Sequence, residues 1–205
     1  MIRMPGNDLP ALTLAEGARF RILRHPTDGD KIIKVMKDLR HDGLRRHFEV
    51  RKAQRQFREC GTLHQKAVRT FEARSDFTPV PRFFGAVETP FGPGLVFEAV
   101  RGEDRPLGPN LKQIRASGTL EDRHRREVLA LMRRCMTHDV MIPDLHLKNI
   151  VWGRARGRTA MFVIDGFDDH TYFRRFGWLA AFDRRKMRSI WHKRILRRLD
   201  IEETA

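Results

Sequence analysis

The stretch from Met141 to Gly166 constrains the fold most, because it places polar side chains directly beside short apolar runs. Asp144 and Asp165 each follow such a run, and Asn149 precedes another one. Short runs of β-branched and aromatic residues predict buried strands. The segment from Gly153 to Thr159, rich in Gly and Arg, predicts the hairpin turn between two of them. We therefore expect the three polar side chains near the ends of adjacent strands, where they can converge.

The spacing of these residues suits one type of chemistry, phosphoryl transfer. Phosphoryl transfer needs a carboxylate that orients the attacking hydroxyl, and oxygen ligands that hold magnesium against the nucleotide phosphates. The pattern Asp-Leu-x-x-x-Asn is typical of the catalytic loop of the protein-kinase fold, and Asp-Gly after a strand is typical of its metal-binding turn. Asp144 and Asn149 have the first spacing, and Ile164-Asp165-Gly166 has the second pattern. The alternative without a catalytic role is that the two aspartates cap turns and the asparagine is solvated.

Composition excludes several other classes of protein. The chain has 205 residues, of which 40% are hydrophobic, so one large domain or two small lobes can bury a core. No apolar run approaches the roughly 18 residues of a membrane helix, and the N-terminus does not resemble a signal peptide. Cys60 and Cys135 have no metal-ligand spacing and no disulfide framework. We expect a cytoplasmic protein, either free or peripheral at the inner membrane.

The charge is strongly positive. There are 41 Lys and Arg residues against 26 acidic residues, a formal net charge of +15. Such an excess favours a polyanionic partner, and it is concentrated between Arg174 and Arg198. This basic segment is either a solvated helix face or a face that binds nucleic acid or an anionic membrane surface. No zinc, helix-turn-helix or aromatic RNA-binding pattern supports nucleic acid, which is therefore the less favoured partner.

The N-terminal half predicts a small antiparallel sheet followed by a hairpin. The predicted strands are Leu12–Leu14, Arg19–Leu23, Ile32–Met36, Phe83–Glu88 and Gly94–Val100. Helices are predicted over Leu44–Ala73, Glu121–Asp139 and Tyr172–Leu199 from their apolar spacing. The polar connector Arg101 to Asp104 leaves the sheet. We therefore expect an N-terminal lobe over residues 1–101 and a truncated C-terminal lobe over residues 102–205.

Lys34 stands at the centre of an apolar strand and shares a face with Ile32. It can reach nucleotide phosphates, or it can be an edge-strand lysine whose stem packs while its ammonium reaches solvent. Glu59 lies on the apolar side of the following helix, where a carboxylate is costly unless it is paired. We therefore expect Glu59 to pair with Lys34, with Glu49 as the competing candidate.

In this order of elements the chain resembles the protein-kinase-like fold, and it is most similar to the bacterial YrbL (PhoP regulatory network) family. The resemblance rests on Ile33-Lys34-Val35, on residues 81–89 and 92–98, and on residues 144–150. It implies an α+β, two-lobed fold with a small antiparallel N-terminal sheet and a reduced, mostly helical C-terminal lobe.

The resemblance also implies a site for ATP and Mg²⁺ between the lobes. Adenine would lie against the backbone near Glu98 to Val100, and the phosphates on Lys34, which Glu59 would hold. Asn149 and Asp165 would bind Mg²⁺, and Asp144 would be the catalytic base. The resemblance does not imply a particular acceptor. The activity that we predict is phosphotransfer from ATP to a hydroxyl of a non-peptide acceptor, such as an anionic glycolipid or a sugar.

Departures from the kinase pattern leave two alternatives. Glu16-Gly17-Ala18 stands where a glycine-rich phosphate loop is expected, and Ile142-Pro143 replaces the usual His-Arg before the catalytic aspartate. Few residues follow Gly166, so we do not expect the peptide-docking half of a protein kinase. The first alternative is a nucleotide-binding regulatory pseudokinase with little turnover. The second is a basic protein that binds nucleic acid or a membrane surface through the helix from Arg184 to Arg198.

Overall fold

The structure is a computed structural model that describes residues 9–17, 19–37, 45–167 and 184–203, with side chains described apart from residues 9–10, 45–56 and 58. The chain forms two compact units, Met1–Gln65 with Arg82–Ala99, and Lys66–Pro81 with Val100–Ala205. Residues 66–81, which the sequence placed in the first lobe, therefore lie in the second unit. One contact that holds this segment in the second unit is the hydrogen bond from Val163 N–H to Pro79 O, at 2.9 Å.

The first unit contains the predicted five-stranded antiparallel sheet. Its strands are β1 (Thr13–Glu16), β2 (Phe20–Arg24), β3 (Lys31–Met36), β4 (Phe83–Thr89) and β5 (Gly92–Glu98), in the order β1-β2-β3-β5-β4. A short helix, α1 (Leu9–Leu12), precedes the sheet and includes Leu12, which was predicted to begin the first strand. Because β3 is central, its side chains are buried on both faces.

The two faces of β3 belong to different clusters, as period-two alternation requires. Ile33 and Val35 pack with residues of the neighbouring strands on one face. Ile32 and Met36 pack on the other face, in the cluster that contains Phe57 of the long helix α2 (Arg45–Glu72). Lys34 lies in register between Ile32 and Met36, so the face it shares with Ile32 is the one that α2 covers.

The second unit is mostly helical and carries one hairpin. Its elements include α3 (Leu111–Ala116), α4 (Asp122–Thr137), a 3₁₀ turn (Leu147–Asn149), β6 (Ile150–Ala155) and β7 (Arg158–Val163). The sequence analysis missed α3. Its N-terminus is a capping box, in which Asn110 accepts from Gln113 N–H and the Gln113 side chain accepts from Asn110 N–H.

The hairpin turn is shorter than the sequence suggested. The turn residues are Arg156 and Gly157, both with positive φ (50° and 74°), which is the geometry of a two-residue hairpin loop. Gly153, which we expected in the turn, lies inside β6. A Cβ there would lie 2.4 Å from Arg101 O, so the glycine permits backbone contact with the connector.

The C-terminal segment comprises α5 (Arg184–Trp191), a π-helical turn (His192–Leu196) and α6 (Arg197–Leu199). Its apolar side is buried in the second unit: Met187, Trp191, Ile195, Leu196 and Leu199. Residues 172–183 of the predicted helix, including Arg174 and Arg175, lie outside the described residues. No helix in the described ranges combines the length and the apolar composition that a membrane span requires.

Candidate active site

The structure brings the predicted catalytic loop and the predicted metal-binding turn together within the second unit. Asp144 N–H donates to Gly166 O at 3.0 Å, and Ile164 N–H donates to Asn149 O at 2.9 Å. The Asn149 side-chain amide donates to Asp144 O at 2.9 Å. The two backbone bonds join both ends of the loop to the segment from Ile164 to Gly166 that follows β7, and the side-chain bond closes the loop on itself.

Two buried leucines alternate with the polar residues of the loop and anchor it. Leu145 and Leu147 are 0% and 6% exposed, whereas Asp144 and His146 are half-exposed. Asn149 N–H donates to His146 O at 2.9 Å and closes the 3₁₀ turn. The alternation Asp-Leu-His-Leu thus buries one set of side chains and presents the other, which holds Asp144 in place without burying its carboxylate.

Gly166 allows the close approach of the turn to the loop. Its φ is 101°, and a Cβ at this position would lie 2.7 Å from Asp144 O and 3.0 Å from Asn149 Nδ2. Gly166 N–H also donates to the Asp165 carboxylate at 3.0 Å. The Asp-Gly pattern is therefore explained by geometry, since a larger residue would separate the two motifs.

Asn149 and Asp165 carry the donor atoms that a magnesium ion prefers. The nitrogen of the Asn149 amide is engaged by Asp144 O, which leaves its side-chain oxygen as the ligand atom. No group of three or more His, Cys, Asp or Glu ligands occurs among the described residues. Because Mg²⁺ at nucleotide sites is held by one or two carboxylates together with phosphates, the donor set fits Mg²⁺ with a nucleotide.

The Asp144 carboxylate has two basic neighbours that the sequence analysis did not assign. His146 Nε2 lies 2.7 Å from Asp144 Oδ1, and Arg194 Nη1 lies 3.8 Å from the same oxygen. Arg194 Nη1 also donates to Pro143 O at 3.1 Å. His146 stood inside the motif, whereas Arg194 had no signal beyond its place in the basic segment.

In the first unit, Lys34 is buried, with 7% of its surface exposed. Its ammonium lies 4.4 Å from the centroid of the Phe20 ring, and Phe20 stacks on Phe57 of α2. Glu59 is half-buried on the same helix. The ion pair between Lys34 and Glu59 stays a prediction, and the side chain of Glu49 lies outside the described residues.

The segment from Glu98 to Val100, where adenine was expected, has most of its backbone groups engaged. Glu98 N–H donates to Arg82 O and Ala99 N–H donates to Asp30 O, at 2.9 and 2.8 Å. Val100 O accepts from Gly108 N–H at 2.9 Å. Adenine binding at this segment stays a prediction.

Comparison with known proteins agrees with this geometry. The family model described as PhoP regulatory network protein YrbL matches residues 9–200. The chain belongs to the YrbL family. No curated protein sequence matches it.

Solved structures similar to this YrbL-family chain show a protein-kinase-like fold. One is the apo form of PpkA-294, with a TM-score of 0.54 at 15% identity, over 76% of this chain and 57% of that one. Another is the kinase domain of PF14_0431, with a TM-score of 0.49 at 15% identity, over 76% of this chain and 49% of that one. The chain thus spans about half the length of these kinase structures, and the likeness shows the fold alone.

The basic C-terminal segment of this YrbL-family chain is partly neutralised by acidic residues elsewhere in the same unit. Arg184 pairs with Asp139 at 3.0 Å. Glu203 accepts from both Arg188 and His192, at 2.7 and 2.6 Å, and the Arg188 hydrogen bond lowers the pKa of that carboxyl. Two arginines of the segment that we expected to face a partner, Arg184 and Arg188, are therefore engaged within the unit.

A cavity of about 670 Å³ lies elsewhere in the second unit, beside the connector that follows Val100. Residues that line it include Arg101, Arg105, Ile114, His124, Trp152 and Arg154. His124 packs edge-on against Trp152 at 5.0 Å, and burial lowers the pKa of its imidazole. The sequence analysis treated this region as a plain connector and gave no signal for a cavity.

Proposed function

We propose that the chain is an ATP-dependent phosphotransferase that acts on a hydroxyl of a non-peptide, anionic acceptor. The observation that carries the proposal is the set of hydrogen bonds that hold the two motifs together. The Asn149 amide donates to Asp144 O, and Asp144 N–H donates to Gly166 O beside Asp165. Structural capping of turns would not require the loop and the Asp-Gly turn to meet in this way.

Each residue has a role that its chemistry supports. The Asp144 carboxylate orients the acceptor hydroxyl and takes its proton. Asn149 Oδ1 and Asp165 would hold Mg²⁺, which supplies positive charge to the phosphates when bound. Lys34 would provide a cation for the phosphates, with Glu59 as its expected partner, and the backbone between Glu98 and Val100 would contact adenine.

Positive charge beside the catalytic loop supports an anionic acceptor. Lys148 is exposed one position before Asn149, and Lys193, Arg197 and Arg198 are exposed on the C-terminal segment. Exposed cations attract anions at long range and are screened over about 8 Å at physiological salt. An anionic sugar or a glycolipid headgroup at the inner membrane fits this surface, and we place the protein in the cytoplasm or at that membrane.

One observation favours the regulatory pseudokinase. The turn after β1 lacks a glycine-rich sequence, and Glu16 beside it is held by Arg21 and Lys37, at 2.6 and 2.7 Å. These ion pairs put a carboxylate where a kinase usually offers backbone N–H groups to phosphates. A weak phosphate loop lowers turnover more readily than it lowers binding, because phosphoryl transfer depends on positioning.

The test is transfer of the γ-phosphoryl group from labelled ATP to water and to an acceptor pool of anionic sugars and glycolipids. Asp144→Asn keeps the shape and removes the base, so turnover should fall about 10²- to 10⁴-fold with unchanged ATP affinity. Asp104→Asn, an exposed aspartate in the same unit, is the matched control and should resemble wild type.

The outcomes separate the three candidate functions. ATP binding without turnover in the wild type would favour the regulatory pseudokinase. Loss of ATP binding in Asp144→Asn would make Asp144 structural and contradict its role as the base. Absence of both binding and turnover would leave the basic surface binder.

A further inference from the structure

Arg194 connects the C-terminal segment to the catalytic loop. One nitrogen, Nη1, donates to Pro143 O at 3.1 Å and lies 3.8 Å from Asp144 Oδ1. The two contacts fall on consecutive residues of the loop, one on the backbone and one on the carboxylate.

The segment that carries Arg194 is well anchored. Arg194 stands in the π-helical turn His192–Leu196, and its neighbours Ile195 and Leu196 are both 0% exposed. Beyond them, Arg125 of α4 donates to Leu199 O and Asp200 O at 2.7 and 2.9 Å. π-Helical turns occur frequently at functional sites, and here the turn accompanies burial of two side chains and a contact with the loop.

The basic contacts on Asp144 are not distributed evenly over its carboxylate. Both His146 Nε2 and Arg194 Nη1 approach Oδ1, at 2.7 and 3.8 Å. The side chain of Asp144 is 49% exposed. Two basic groups on one oxygen favour one rotation of the carboxylate, and within the described residues the other oxygen, Oδ2, has no ion-pair partner.

We propose that Arg194 is a positioning residue, which with His146 holds Asp144 Oδ1 so that Oδ2 receives the proton of the acceptor hydroxyl. The proposal rests on the proposed phosphotransferase function. In that step the acceptor oxygen forms a bond to the γ-phosphorus, and the bond from that phosphorus to the β–γ bridging oxygen breaks. The proton passes to Asp144 Oδ2, and ADP leaves with the electron pair of the broken bond.

The kinetic test compares Arg194→Ala, Arg194→Lys and the control Arg133→Ala, an exposed arginine on α4 of the same unit. Misplacing a reacting group by about 1 Å can cost about 10²-fold in rate. We expect Arg194→Ala to lower kcat about ten- to hundredfold, with KM for ATP within about twofold of wild type. Arg194→Lys, which keeps the charge but not the planar fork, should recover part of kcat. Equal kcat values for Arg194→Ala and Arg133→Ala would overturn the proposal.

A second readout does not depend on turnover. Hydrogen exchange of the amides of residues 144–149 should be faster in Arg194→Ala than in wild type or Arg133→Ala, because the loop loses a tether. If the wild type shows no turnover, the proposed function fails, and this exchange measurement still decides whether Arg194 holds the loop. Unchanged exchange in Arg194→Ala would overturn the positioning role in either case.

Discussion

Gly166 determines how closely the Asp-Gly turn can approach the catalytic loop. Its positive φ and the 2.7 Å that would separate an added Cβ from Asp144 O exclude other residues without a backbone shift. The same shift would disturb the bond from Asp144 N–H to Gly166 O. A side chain at this position would therefore affect stability and the geometry of the site together.

Gly166→Ala should destabilise the fold more than Gly157→Ala. Gly157 also has a positive φ, 74°, but has no atom within 4 Å of the added Cβ. The control therefore carries only the backbone cost of about 1–2 kcal/mol, while Gly166→Ala adds an overpacking cost of about 1–3 kcal/mol. Urea unfolding of both variants measures the difference. An equal loss in the free energy of unfolding of the two variants would contradict this prediction, because the loop would then have moved to accommodate the new methyl group.

At the residue scale, the sequence predicted what lies close together in the chain. The meeting of the loop from Asp144 to Asn149 with the Asp165-Gly166 turn could be predicted because it follows from one loop and one hairpin. The contact of Arg194 with the loop could not be predicted, because it depends on how a distant helix packs. One arginine in a basic segment is also indistinguishable from its neighbours by sequence.

The anchoring of the C-terminal segment belongs to the scale of elements. α6 ends at Leu199, and its last carbonyl groups have no partner within a helix of this length. Arg125 supplies that partner from α4, with bonds to Leu199 O and Asp200 O. This contact fixes the end of the segment that also carries Arg194.

Arg125→Ala should therefore loosen the C-terminal segment, whereas Arg126→Ala should not. Arg126 is the next residue of α4 and is exposed. Hydrogen bonds from a charged group contribute about 1.5–3 kcal/mol, so Arg125→Ala should lower the free energy of unfolding by about that amount or less. Limited proteolysis should cut the variant faster near its C-terminus. Equal stability of the two variants would contradict the anchoring role.

Most elements were predictable because their apolar periodicity is regular. The five strands, the long helix and the β6–β7 hairpin all follow from alternation and apolar spacing. The turn at Arg156-Gly157 was misplaced because Gly153 carries a turn signal, yet serves contact with Arg101 O. α3 was missed because it is one short helix whose signal is its capping box, Asn110 with Gln113.

At the scale of the whole molecule, the order of elements identified the protein-kinase-like fold and the YrbL family, and the family model then matched residues 9–200. Net charge was less informative about partners. A formal charge of +15 suggested a docking face, but Arg184, Arg188 and Arg194 are each engaged within the second unit. The identity of the acceptor depends on the shape and charge of the surface that binds it, and composition does not specify either.

Magnesium-dependent nucleotide binding tests the central claim most directly. A ligand that binds only the folded state at one hundred times its Kd stabilises it by about 2.7 kcal/mol, so saturating Mg-ATP should raise Tm. Thermal unfolding of the wild type should show a larger shift with Mg-ATP than with ATP and a chelator. Asp165→Ala should abolish that difference, because Asp165 is the proposed magnesium ligand. No shift with any nucleotide at millimolar concentration, or an unchanged magnesium effect in Asp165→Ala, would contradict the assignment of the site.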